Sequence, residues 1–112
     1  MTNLAEETRN LIQGSRDIRL KIHEQGKRLA HLQKAEATAI ARFNSMIAVD
    51  KALTNADKRK AALTELKASD EEYLAITAES ETIRHEIELL QINLQFNSDI
   101  IKLNLALINA QQ

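Results

Sequence analysis

The sequence has no cysteine and no proline, only two glycines (Gly14 and Gly26), and three aromatic residues, Phe43, Tyr73 and Phe96. Without cysteine there is no disulfide framework and no thiolate metal site. Without proline, and almost without glycine, few residues can turn the chain tightly or break a helix. A β-sandwich or α/β domain of 112 residues would call for more turn residues and more β-branched and aromatic strands. No run of about eighteen apolar residues occurs, so no membrane-spanning helix is expected. The opening Met1-Thr2-Asn3-Leu4-Ala5-Glu6-Glu7 has neither the basic start nor the apolar run of a secretory signal. A cytoplasmic location is therefore the expectation.

What the chain does contain is Ala, Leu, Glu, Lys and Gln, all good helix formers. In the first half Leu4, Leu11, Ile18, Ile22, Leu29, Leu32, Ile40, Phe43 and Ile47 recur at three, four or seven residues. In the second half Leu63, Leu66, Tyr73, Ile76, Ile83, Ile87, Leu90, Leu94, Ile101, Leu105 and Ile108 do the same. Such spacings place side chains on one face of an α-helix. Gly14 and Gly26 fall on the first of these faces and read as close-packing positions, a local bend at either being the competing reading. Between the two patterns lies Asp50–Asp57, where Thr54 or Asn55 can cap the next helix. Ser69-Asp70-Glu71-Glu72 has capping-box spacing and marks a second possible helix start.

The fold expected is all-α. It is a single domain over 1–112, a long antiparallel, coiled-coil-like helical hairpin. Its helices cover about residues 3–51 and 57–110, the turn about 52–56, with a possible break near 68–70; one long second helix is the favoured form. Charge supports the fold-back. Residues 1–60 carry twelve Lys/Arg and seven Asp/Glu, while residues 61–112 carry three and nine. A turn near residue 54 sets the basic run Arg16–Lys34 against Glu79, Glu81, Glu86 and Glu88, and brings Arg42 and Lys34 near Asp70, Glu71 and Glu72. It also sets Phe96 near Gly14, and His23 opposite His85. Flanking charges of this kind select orientation and register more than they add stability.

The C-terminal helix carries more apolar surface than one partner helix can cover. One stripe is Ile87, Leu90, Leu94, Ile101, Leu105 and Ile108, interrupted by Asn97 and Asn104, which could be buried amides that fix register or, equally, rim amides that bond to water. A second stripe is Leu89, Ile92, Phe96, Ile100, Leu103 and Leu107. An exposed stripe of that length is an association surface. It predicts a homo-oligomer, in its simplest form a dimer that completes a four-helix bundle. The rim is rich in Asn and Gln rather than the Lys and Arg that flank membrane-surface helices, so a protein partner is expected and no membrane.

Chemistry-bearing patterns are sparse. There is no glycine-rich phosphate loop and no Ser/His/Asp set. Glu81, His85 and Glu88 lie one turn apart, yet the Glu-x-x-His pattern of di-iron bundles is missing, so no metal and no cofactor are expected. Lys58-Arg59-Lys60 is too short a basic cluster, with no interleaved aromatic, to bind nucleic acid. The function expected is a non-catalytic scaffold or adaptor that works by protein–protein association. Two alternatives stand beside it. Over about its last twenty residues the chain loosely resembles flagellar and type III secretion chaperones. That resemblance implies a small export or assembly chaperone holding a client on its C-terminal helix. Arg16 and His23 have a spacing similar to that in certain helical ribonucleases, which implies a composite catalytic site in a dimer.

Overall fold

A computed structural model describes residues 3–111. The chain forms three helices, α1 (Leu4–Ala48), α2 (Ala56–Ser69) and α3 (Glu71–Ala110). No described residue is in a strand, and the protein is an all-α helical hairpin. Asn3 caps α1, its side-chain oxygen accepting from the Ala5 N–H at 2.9 Å. Asn55 caps α2, accepting from the Lys58 N–H at 2.8 Å, with Asp57 in the first turn toward the positive end of the dipole. In the connector, the Asp50 carboxylate accepts from the Ala52 N–H at 2.9 Å. The Arg59 side chain reaches back to the Leu53 carbonyl at 3.2 Å.

The second arm is not one long helix. It divides at Asp70, whose backbone is extended (φ −82°, ψ 111°). Asp70 closes both helix ends itself. Its N–H donates to the Leu66 carbonyl at 3.0 Å, its carbonyl accepts from Leu74 at 3.0 Å, and its Oδ1 accepts from the Tyr73 N–H at 2.8 Å. Its Oδ2 meets the Arg42 guanidinium at 3.0 Å. Ser69 does not form the capping box that its spacing suggested, because its hydroxyl donates back to the Glu65 carbonyl at 2.8 Å. Asp70→Ala removes a cap of about 1 kcal/mol and a half-exposed ion pair of about 0–1 kcal/mol. A fall in stability of about 1–2 kcal/mol is expected in urea unfolding followed by circular dichroism. No change would mean that the break is held by packing alone.

Contacts divide the chain into two units, Met1–Lys27 with Arg84–Gln112, and Arg28–Ile83. In the Arg28–Ile83 unit a core is centred on Ala39, Phe43 and Tyr73, with Ile40 of α1 and Leu63 and Leu66 of α2 packed against it. Phe43 and Tyr73 meet edge to face, ring centroids 5.7 Å apart. Leu32, Ile47 and Ile83 are also buried there. Arg28 pairs with Glu79 and Arg42 with Asp70, which are pairings that the charge asymmetry anticipated.

In the terminal unit the two helices face each other along a seam. On α1 the seam runs Leu4, Thr8, Leu11, Ser15, Ile18, Ile22 and Gln25. On α3 it runs Ile87, Leu90, Leu94, Asn97, Ile101, Asn104 and Ile108. All of these are buried or half-buried, and all are spaced by alternating steps of four and three, the cadence of a coiled coil. Gln25 Nε2 donates to Glu86 at 2.6 Å. A Cβ on Gly14 would lie 3.9 Å from the Asn97 amide nitrogen. Asn97, not Phe96, is therefore level with Gly14, and Phe96 faces outward.

Neither glycine is a close-packing position. The Gly14 neighbour is at ordinary van der Waals distance, and among the described residues nothing lies within 4 Å of a Cβ at Gly26. Both sit inside a continuous helix. Gly26→Ala should therefore stabilise the protein by up to ~1 kcal/mol through helix propensity, seen as a higher melting temperature. A lower one would show that Gly26 is needed for close approach after all.

Candidate functional site: the outer face of α3

The terminal unit buries its side chains in an unusual order. Among the described residues, its buried positions are Thr8, Ser15 and Asn104, all polar. The buried apolar side chains, Leu32, Ala39, Phe43, Ile47, Tyr73 and Ile83, all belong to the other unit. Two helices laid side by side shield only a narrow strip, so the unit's leucines and isoleucines remain partly wet.

The polar seam residues have different local fates. The Thr8 hydroxyl donates to the Leu4 carbonyl at 2.7 Å. Among the described residues, Ser15 Oγ and Asn104 Nδ2 are buried without a hydrogen-bond partner. Leaving such groups unpaired costs about 1–3 kcal/mol each. A polar residue in an otherwise apolar seam disfavours slipped alignments, where it would face an apolar side chain. Stability is lost and register is gained. Asn104 thus takes the seam place expected of Leu105, which lies outside at 48% exposure.

The apolar surface lies on the opposite side of α3. Leu89, Ile92, Phe96, Leu103 and Leu107 are 44–63% exposed, and Ile100 is half-buried. They recur every three or four residues over about 27 Å of helix. Between residues 89 and 108 the only charges are Asp99 and Lys102, and Asp99 accepts from the Gln95 amide at 2.9 Å. Near its N-terminal end the face opens on a shallow groove lined by Lys21, Glu24 and Gln25 of α1 and Glu86, Leu89, Leu90 and Asn93 of α3.

The other residues singled out for chemistry are dispersed. Arg16 and His23 are exposed on α1, and His85 is exposed on α3. Lys58 and Lys60 are exposed at the start of α2, while Arg59 is tied to the Leu53 carbonyl. Among the described residues, no three His, Asp or Glu side chains gather into a metal-binding group, and no helix is long and apolar enough to cross a membrane.

The chain matches no protein-family model, no curated protein and no solved structure. What the outer face of α3 offers is contact area without chemistry: large aliphatic side chains, one phenyl ring and a neutral amide border. Amides hydrogen-bond to water when free, and to backbone or other amides when covered, without the desolvation cost of a charge. Such a surface can stay wet in one state and dry in another.

Proposed function

We propose that this protein is a non-catalytic helical scaffold that acts by self-association through the outer face of α3, in its simplest form as a dimer with a four-helix bundle at the terminal units. The observation that carries this reading is the inversion of burial in the terminal unit. Its fully buried positions are Thr8, Ser15 and Asn104, its seam leucines and isoleucines are half-buried, and Leu89, Ile92, Phe96, Leu103 and Leu107 lie exposed on the outer face. Each exposed CH₂ returned to an apolar environment contributes about 0.8 kcal/mol, so covering the face is strongly favourable. The near-neutral rim favours a protein surface over an anionic lipid surface, which selects Lys and Arg.

Light scattering across a dilution series tests the proposal. A species of twice the chain mass or more, persisting on dilution, is the expected result. A monomer at every concentration would reject self-association and turn the face toward a client protein, as in an export or assembly chaperone.

A further inference from the structure

We infer that the terminal unit opens on its own: residues 4–25 of α1 form a strap that lifts off α3 while the core around Phe43 stays closed. The inference does not depend on self-association.

The two units are held by different forces, although α1 and α3 run through both. In the Arg28–Ile83 unit the buried side chains include Phe43 and Ile83, at 1% and 2% exposure. Leu63 and Leu66 of α2 pack on the same core, and the ion pairs Arg28–Glu79 and Arg42–Asp70 tie α1 to the second arm. In the terminal unit, among the described residues, the buried side chains are Thr8, Ser15 and Asn104, and no apolar side chain is fully buried.

Polar bonds between the helices do not make up the difference. Gln25 donates to Glu86 at the inner end of the unit. Toward the chain ends from that bond, among the described residues, no hydrogen bond or ion pair joins α1 to α3. The side chains that could make one are satisfied within their own helices: Thr8 on the Leu4 carbonyl, Gln13 on Asp17 and Gln95 on Asp99. Ser15 Oγ and Asn104 Nδ2 are buried without a partner in the same seam. Both regain water when the seam parts, which offsets part of the apolar contact that is lost. Local opening is easiest where buried apolar contacts are few.

The strap loses more than its seam when it lifts. A helix without a packing partner draws little stability from propensity alone, so its own backbone hydrogen bonds weaken as well. On α3 the open state bares Ile87, Leu90, Leu94, Ile101 and Ile108, which are half-buried in the closed seam. The exposed outer face lies on the other side of the same helix. Opening therefore gates how much apolar surface α3 presents: one face when the strap is down, two when it is up.

Amide hydrogen exchange in the full, unaltered chain tests the inference, because the segments compared lie on one helix. Relative to their intrinsic rates, amides of residues 11–24 should exchange about tenfold faster, or more, than those of residues 32–47. Equal protection along α1 would overturn the inference. Thiol labelling reads the same event at the side chains, since the chain has no cysteine of its own. Ser15 and Ser80 are both buried, at 3% and 0% exposure, one in each unit. Made separately, Ser15→Cys should be labelled about tenfold faster, or more, than Ser80→Cys, and comparable rates would count against the inference as decisively. Adding Asn104→Leu to the Ser15→Cys chain removes an unpaired amide from the seam. Labelling should then slow by about fivefold or more, while the same addition leaves the Ser80→Cys rate unchanged. An unslowed rate would mean that the polar seam does not set the opening, and would overturn the inference too.

Discussion

Replacing Phe43 with alanine is expected to lower stability by about 3–5 kcal/mol, the largest effect of any single substitution considered for this protein. Phe43 is 1% exposed and stands at the point where all three helices meet, against Tyr73 of α3 and with Leu63 and Leu66 of α2 packed on the same cluster. Its ring edge-to-face contact with Tyr73 contributes about 0.5–1.5 kcal/mol beyond the area buried. The Arg42 guanidinium carbon lies 5.3 Å from the ring centroid, an attraction of about 0.5–1 kcal/mol at a half-exposed site. Small proteins have about 5–15 kcal/mol of stability in all, so this loss takes a large share. Urea unfolding followed by circular dichroism should show a much lower midpoint with the slope unchanged. Phe43→Leu keeps most of the volume and should cost less than half as much. A loss below about 1 kcal/mol in the alanine variant would mean that the cluster closes over the gap, against the behaviour of well-packed cores.

The second large effect is expected for Ile100→Asp. In one chain Ile100 is half-buried, so a carboxylate there can reach water and the helix should persist. If the outer face of α3 is the self-association surface proposed above, the same position lies within it, and a carboxylate there would be buried without a counter-charge. An uncompensated buried charge costs about 3–5 kcal/mol. With two such sites per dimer, and about 1.4 kcal/mol per tenfold in affinity, association should weaken by several orders of magnitude. Light scattering should report a monomer at concentrations where the parent chain is associated. The exposed control Gln91→Asp, on the other side of α3, should leave the mass unchanged. An Ile100→Asp chain that keeps the parent mass would remove the outer face from the interface.

The helical class and the hairpin could be read in the sequence because periodicity and composition agree along the whole chain. The ion pairs Arg28–Glu79 and Arg42–Asp70 show why charge asymmetry located the fold-back. The break at Asp70 was harder to read because two capping residues stand side by side. Ser69 satisfies its hydroxyl within α2, which leaves the cap to Asp70. The seam was only partly legible because Thr8 and Ser15 are polar yet buried. A search for apolar residues passes over them. The unbroken four-and-three cadence from Leu4 to Leu32 passes through Thr8, Ser15 and Gln25, and was the signal available. The displacement of Phe96 by Asn97 at Gly14 follows from the same cadence, since Asn97 sits three residues after Leu94 and seven before Asn104.

The interruption at Asp70 also bears on how the sequence can change over time. In an uninterrupted helix, deletion of one residue rotates every later side chain by about 100° around the axis. The apolar rows beyond it would then point in the wrong direction. Here the helical phase is set afresh at Asp70, where an extended residue is fastened to Arg42 and to the first turn of α3. A length change in α2 would shift Leu63 or Leu66 on the Phe43 cluster, but it would not by itself turn the apolar rows of α3, whose helical phase begins anew beyond Asp70.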